Sequence, residues 1–289
     1  MNNCVEIKDF IKKRKNYEVN IPKLQIPEGF ATAFIGENGA GKTTLIDAIA
    51  GIDLSYSGTI KYFSDHTLTD KYVRENIGYT SSVSYFQPHW KMRQIIEVCS
   101  LLFENFDKEK FIEICQKFKL PDNKSVAQLS DGNKMRLMLA SVFARQTRLL
   151  LMDEPASPLD PVMRDCLCEM IQQYIADGNG NKSVCFSTHN ISDMEMVTDY
   201  AVIISGGNVA ECGFVEDLKE KYIAVKGEKS CADAAKKFLY SFSGGNYGFE
   251  GICLSEDADK LAGMDVKLET PSLHQISVAV LKKCGGDLS

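Results

Sequence analysis

The sequence predicts an α/β fold in which a parallel sheet presents a nucleotide-binding loop, and three observations predict it. The run Gly36-Glu37-Asn38-Gly39-Ala40-Gly41-Lys42-Thr43 fits the G-x-x-x-x-G-K-[ST] phosphate-binding pattern at every fixed position. A short apolar, β-prone run, Ala31–Ile35, stands before it, and residues 44–50 after it have the composition of a helix packed on a sheet. Two later apolar runs, 149–152 and 183–187, end in Asp153-Glu154 and Thr188-His189, as buried parallel strands end at a nucleotide crevice.

Each element has a chemical reason. Strand, glycine loop and helix together gather backbone N–H groups and a helix N-terminus around an anion. The glycines let the backbone curl without Cβ clashes. Lys42 brings a positive charge to the β- and γ-phosphates, Thr43 offers a hydroxyl to Mg²⁺, and Thr44 continues the loop into the helix. At the end of the second strand, Asp153 is placed to hold Mg²⁺ and Glu154 to orient and polarise an attacking water. A lone histidine is more often structural than catalytic. His189, at the end of a third core strand in a chain with a phosphate loop, takes the opposite reading.

Composition bounds the alternatives. The chain has 289 residues, enough for one large domain with a small appendage. Hydrophobic residues make up 44% and charged residues 25%, ordinary values for a globular protein. A net charge of −6 disfavours non-specific nucleic-acid binding, and no nucleic-acid partner is expected. The basic cluster at residues 12–15 reads as a solvated hairpin turn. No apolar run is long enough to span a bilayer and the N-terminus does not read as a signal peptide. Ten cysteines are scattered, and Cys166-x-Cys168 lies in a helical stretch without a second ligand pair, so they read as reduced packing residues of a cytosolic protein.

Leu129-Ser130-Asp131-Gly132-Asn133 precedes the second strand and Pro155-Ala156-Ser157-Pro158-Leu159-Asp160 follows it. With the phosphate loop, the Asp-Glu strand end and the strand-end histidine, their order and spacing over residues 4–220 resemble the nucleotide-binding subunit of an ATP-binding-cassette (ABC) transporter. The resemblance implies an α/β P-loop NTPase cassette over residues 1–220: a RecA-like core, an N-terminal antiparallel β region and a helical subdomain over about 85–145. A small C-terminal α+β appendage would occupy 221–289. Carried over residue by residue, Gly36, Glu37, Asn38, Gly39, Ala40, Gly41, Lys42 and Thr43 look like the Walker A loop and Asp153 like the Walker B aspartate. Glu154 looks like the catalytic glutamate, Asp160 like the D-loop aspartate and His189 like the switch histidine. Ser130, Asp131, Gly132 and Asn133 look like the signature motif, usually Leu-Ser-Gly-Gly-Gln, which in the family reaches across a dimer to a partner's ATP. The expected cofactors are ATP and Mg²⁺.

Three departures stand out. Asp131 replaces a glycine and Asn133 a glutamine in the signature, and Asp131 puts negative charge near a polyanion. Ser82 occupies the glutamine position of the Q-loop and is too short for the same contacts, with Gln87 five residues on as an exposed loop residue. An aromatic that stacks on adenine is not obvious, although Lys13, Arg14 and Tyr17 fall near its place.

Phe111, Ile112, Cys115 and Phe118 form an apolar stripe at helical spacing and read as internal packing. Beyond residue 220, strand-like pieces at 222–226, 251–254 and 265–268 surround a polar turn, Ser243-Gly244-Gly245-Asn246. A closing helix starts with Thr270 as N-cap and Pro271 at the first position, and Leu273, Ile276, Val280 and Leu281 form its apolar face. This tail resembles the appendage of subunits paired with ABC-2-type permeases. The reading is an ATPase subunit, homo- or heterodimeric, that drives a separately encoded polytopic permease, in the export direction, from the inner face of the cell membrane. The alternatives are a soluble ABC ATPase of translation or DNA maintenance and a non-hydrolysing regulatory module. Glu154 and His189 weigh against the last.

Overall fold

The computed structural model describes residues 2–15 and 17–285. In chain order its strands are β1 (Asn3–Lys13), β2 (Glu18–Pro27), β3 (Ala31–Ile35), β4 (Ser57–Tyr62), β5 (Ile77–Thr80), β6 (Leu149–Met152), β7 (Ser183–Thr188), β8 (Tyr200–Ser205), β9 (Asn208–Phe214), β10 (Tyr222–Glu228), β11 (Ser241–Gly244), β12 (Gly248–Leu254) and β13 (Val266–Glu269). The helices are α1 (Lys42–Ala50), α2 (Lys71–Glu75), α3 (Met92–Leu102), α4 (Lys108–Lys117), α5 (Asp131–Phe143), α6 (Pro161–Ala176), α7 (Val215–Lys221), α8 (Ala232–Lys236) and α9 (Leu273–Gly285).

The centre is a six-stranded sheet in the order β5-β6-β7-β3-β8-β9, parallel except for the last strand. Strands β3, β6 and β7 are buried on both faces, so they read as continuous apolar runs rather than alternating ones. The alternation appears in which core each residue joins. Ala31, Ala33, Ile35, Leu150, Met152, Val184, Phe186, Ala201 and Ile203 face a core shared with α5, α6 and α9. Phe34, Leu149, Leu151, Cys185, Val202 and Ile204 face the other way, onto α1 and the antiparallel sheet β2-β1-β4. The result is layered, and the phosphate loop emerges where β3 runs into α1.

Helices α3, α4 and α5 fall within the stretch expected to be helical. The stripe Phe111, Cys115 and Phe118 is buried in the main core, with Ile112 packed against it. Burial pushes the Cys99 thiol up to about 11 and the Cys115 thiol up to about 12, so both stay protonated packing groups. Among the described residues no three His, Cys, Asp or Glu side chains gather around a metal-sized site.

The C-terminal residues build a four-stranded antiparallel sheet, β11-β12-β10-β13. It has a small core of its own around Val225, Phe249 and Cys253. Tyr222, Ala224 and Ile252 point the other way and join the main core, together with Leu273, Ile276, Ala279 and Val280 of α9.

Three local expectations change. The basic cluster is not wholly solvated: Lys12 is 2% exposed and its ammonium reaches Asp53 at 2.5 Å and the Ser55 carbonyl at 2.8 Å. A β-strand sends alternate side chains to opposite faces, so Lys12 turns inward while Lys13 points to solvent. The closing helix is capped by Ser272, not Thr270, since Ser272 Oγ accepts the Gln275 N–H and Gln275 Oε1 accepts the Ser272 N–H. The polar turn is shorter than expected because Ser243 and Gly244 pair with Glu250 and Phe249 as the end of a strand.

Candidate functional site

The loop from β3 to α1 is built around its glycines. A Cβ on Gly36 would lie 2.4 Å from the Ile204 carbonyl oxygen, so β8 can pass close by only if residue 36 has no side chain. Gly41 has φ of 105°, and a Cβ there would also meet Val19 Cγ2 at 2.7 Å. The Ala40 N–H donates to the Glu37 carbonyl. The N–H groups of Asn38, Gly39, Gly41, Lys42, Thr43 and Thr44 have no protein acceptor among the described hydrogen bonds. Such a run at a helix N-terminus fits a phosphate chain. Lys42 is 5% exposed, with its Nζ held by the carbonyls of Gly36 at 2.7 Å and Glu37 at 3.0 Å. Burial lowers its pKa, opposed by the nearby Glu154 and Asp153 carboxylates.

Opposite the loop, β6 ends in Asp153, which is 2% exposed. Its carboxylate accepts the Thr43 hydroxyl at 3.0 and 3.1 Å and the Ser187 hydroxyl at 2.6 Å. Hydroxyl and carboxylate oxygens in contact are the hard donors a magnesium ion takes, so the pair Thr43–Asp153 fits that ion. Glu154 has φ of 49°, a left-handed conformation that costs a non-glycine residue about 1–2 kcal/mol. Its N–H donates to Ser187 Oγ at 2.9 Å. The side chain lies between Lys42 Nζ at 3.7 Å and His189 Nδ1 at 2.8 Å. Phosphate loop, Asp153, Glu154 and His189 thus come together in one place.

The residues at 130–133 sit elsewhere. Ser130 caps α5 by accepting the Asn133 N–H at 3.3 Å. Asp131 opens the helix with its side chain 89% exposed and paired to Lys134 at 3.0 Å. Gly132 lies under the segment that follows Glu154: a Cβ would come 2.7 Å from the Pro158 carbonyl oxygen. Asp160 caps α6 through the Met163 N–H and takes Arg136 Nη2 at 2.6 Å. Among the described hydrogen bonds none joins Ser130, Asp131, Gly132 or Asn133 to residues 36–44.

Ser82 and Gln87 are both exposed, and Ser82 Oγ has no partner among the described residues. Their chain neighbours Ser81 and Phe86 line a cavity of about 670 Å³ between the sheet edge and the helices, together with Ile52, Tyr79, Trp90, Leu102, Phe103 and Arg145, among others. Its lining contains two arginines, Arg74 and Arg145, and no carboxylate. Tyr17 donates to or accepts from Thr44 Oγ1 at 2.7 Å, which places its ring beside the loop, whereas Arg14 is paired with Asp53.

Several contributors were not expected. Ser187 holds Asp153 and Glu154 in register; its place two residues before His189 is the only sequence signal it carries. Arg136 and Arg164 tie helices to the segment after Glu154, and nothing in their local sequence announces it.

Comparison with known proteins agrees with this geometry. The family model described as ABC transporter matches residues 19–157. The uncharacterized ABC transporter ATP-binding protein YxlF of Bacillus subtilis (strain 168) is 30% identical over 223 residues, 75% of this chain and 73% of that one. The ABC transporter ATP-binding protein YtrB of the same organism is 26% identical over 203 residues, 70% of this chain and 69% of that one. Among solved structures, an ATP-binding subunit of an ABC transporter superposes with a TM-score of 0.66 at 24% identity, over 75% of this chain and 92% of that one. The post-hydrolysis dimer of the cassette MJ0796 with ADP and Pi gives 0.62 at 19%, over 73% and 98%. The matched model, the relatives and a phosphate loop facing two carboxylates and a histidine lead to one conclusion: the chain belongs to the ATP-binding subunits of ABC transporters, cassette ATPases that bind ATP with Mg²⁺.

Proposed function

We propose that this subunit dimerises on ATP and powers a separately encoded polytopic permease in the export direction, from the cytoplasmic face of the membrane, with residues 1–220 as cassette and 221–289 as appendage. The observation that carries the reading is the division of the site. The phosphate loop, Asp153, Glu154 and His189 are assembled within one chain, while Ser130 stands exposed at the N-terminus of α5, away from them. A second subunit, identical or related, brings its own Ser130 and the Gly132 amide to the γ-phosphate, where a helix N-terminus favours negative charge. No nucleic acid enters this scheme.

Within the site the roles follow from chemistry. Residues 36–44 bind the phosphates, with Lys42 neutralising the β- and γ-groups. Thr43 and Asp153 hold Mg²⁺, which, when bound, neutralises charge building up on the phosphate oxygens. Glu154 orients water for attack on the γ-phosphorus and draws a proton from it, and His189 holds Glu154 in place at 2.8 Å. Tyr17 is the ring beside the loop best placed for adenine. Ser82 leaves a gap where a glutamine would reach, to be filled by water. Asp131, turned to solvent and paired with Lys134, keeps its charge away from the nucleotide.

The cavity beside Trp90 suits an apolar segment of the permease, and its arginines suit a carboxylate on that segment. No helix among the described residues is long and apolar enough to cross a membrane. The test is co-expression with a neighbouring polytopic membrane protein. The subunit should then fractionate with membranes and its ATPase should change on reconstitution, because a permease is driven only if it responds differently to open and closed nucleotide states. Stable co-purification with ribosomes or DNA, and indifference to every such membrane protein, would overturn the proposal.

A further inference from the structure

The stretch that follows His189 has little structure of its own. It consists of two single 3₁₀ turns, Ile191–Asp193 and Glu195–Val197, elements too short to hold themselves in place. Ile191 and Met194 are buried, and the polar side chains are gripped from two sides. On one side, Asp193 Oδ1 takes Arg164 Nη1 at 2.7 Å, and Asp193 Oδ2 takes the Asn190 amide at 3.1 Å. The same guanidinium donates through Nε to the carbonyls of Ala156 at 3.2 Å and Leu159 at 3.0 Å. Arg164 therefore ties the backbone just after Glu154 to the Asp193 side chain of the segment that follows His189. On the other side, the Glu195 carboxylate accepts the N–H groups of Leu273 at 2.8 Å and His274 at 3.3 Å. These are otherwise unpaired donors at the N-terminus of α9, where a carboxylate is electrostatically favoured.

We infer that Arg164 and Glu195 are positioning residues of the ATPase reaction, and that helix α9 of the C-terminal appendage anchors, through Glu195, the segment that sets His189 against Glu154. The appendage is then part of the hydrolytic machinery rather than a bystander. Neither residue touches the nucleotide-binding loop, so their effect falls on the chemical step and not on ATP binding. The inference rests on the reading of His189 given above.

The experiment uses the full-length protein and measures Mg²⁺-ATP turnover in Glu195→Ala, Glu195→Gln and Arg164→Met. We expect kcat to fall about tenfold to a hundredfold in Glu195→Ala and Arg164→Met, the range seen for a slightly misplaced group, with KM for ATP unchanged. Glu195→Gln keeps one acceptor oxygen and should recover part of the loss. Ser272→Ala weakens the same helix end without touching the bridge, so it should lower Tm comparably and leave kcat intact. In a His189→Ala background, Glu195→Ala should cost nothing further, because it acts through that histidine. Unchanged kcat in Glu195→Ala and Arg164→Met, an equal loss in Ser272→Ala, or additivity with His189→Ala would each overturn the inference. If Glu195→Ala does not fold, the same comparisons are read on Glu195→Gln. A wild-type kcat in His189→Ala alone would remove the role of His189 itself, and that failure is visible in a single variant.

Discussion

The phosphate-loop region and the signature region of this molecule are built on opposite plans. Around the loop the buried and half-buried charged groups are each held by neighbours: Lys42 by two carbonyls and Glu154, Asp153 by Thr43 and Ser187, Glu154 by His189. Around residues 130–133 the polar groups serve local needs, a helix cap and an exposed ion pair, and face solvent. The first region is pre-organised within one chain, so its contribution to catalysis requires little rearrangement. The second is a surface whose purpose lies in another molecule. The difference teaches that a residue's role here is better judged by how many intrachain partners it has than by its distance from the nucleotide.

The comparison can be broken most decisively at Lys42. Lys42→Ala should abolish measurable ATP binding, read by calorimetry, because no other cation lies in the loop. Mixing Lys42→Ala chains with Ser130→Ala chains, each inactive alone, should restore activity. One of the two composite sites then joins an intact loop to an intact signature. Failure of that mixture to hydrolyse ATP would mean that the two regions do not meet across a dimer. Next in size, Glu154→Gln should keep ATP binding and lose turnover by about a hundredfold or more; undiminished phosphate release would remove Glu154 from the reaction. Gly132→Ala should push against the Pro158 carbonyl and destabilise the fold by about 1–3 kcal/mol, visible as a lower Tm. Smallest is Ser82→Gln, which should raise basal ATPase or tighten its Mg²⁺ dependence within a few-fold. Gln87→Ala abolishing activity while Ser82→Gln does nothing would show that the loop register is misplaced.

The same contrast explains what could be read from sequence. The phosphate loop is legible because its chemistry needs fixed residue types at fixed spacing: glycines at 36 and 41 for close backbone approach, then a lysine and a threonine. The central strands are legible because burial on both faces leaves continuous apolar runs. Ser187, Arg164 and Glu195 were invisible, since each works through a contact distant in sequence and any surface helix or strand end carries similar residues. The burial of Lys12 was hidden for the same reason. A basic run looks solvated until a carboxylate some forty positions on, Asp53, is folded beside it. The N-cap at Ser272 was misplaced by two residues because Thr270 and Ser272 are equally good caps and Pro271 suits a first turn; the reciprocal bond with Gln275 decides between them.

Helix α9 is made well after β3 and β8 yet fills the same core layer as Ala33, Ala201 and Ile203. During synthesis, at roughly 5–20 residues per second, the strands β3 and β8 are made seconds before their cover exists. In that interval the nascent cassette carries an apolar face that Leu273, Ile276, Ala279 and Val280 will later cover. The protein is therefore vulnerable to aggregation until α9 has been made, and a chain cut short before α9 should be retained by chaperones or lost to proteolysis although its entire phosphate loop has already been made.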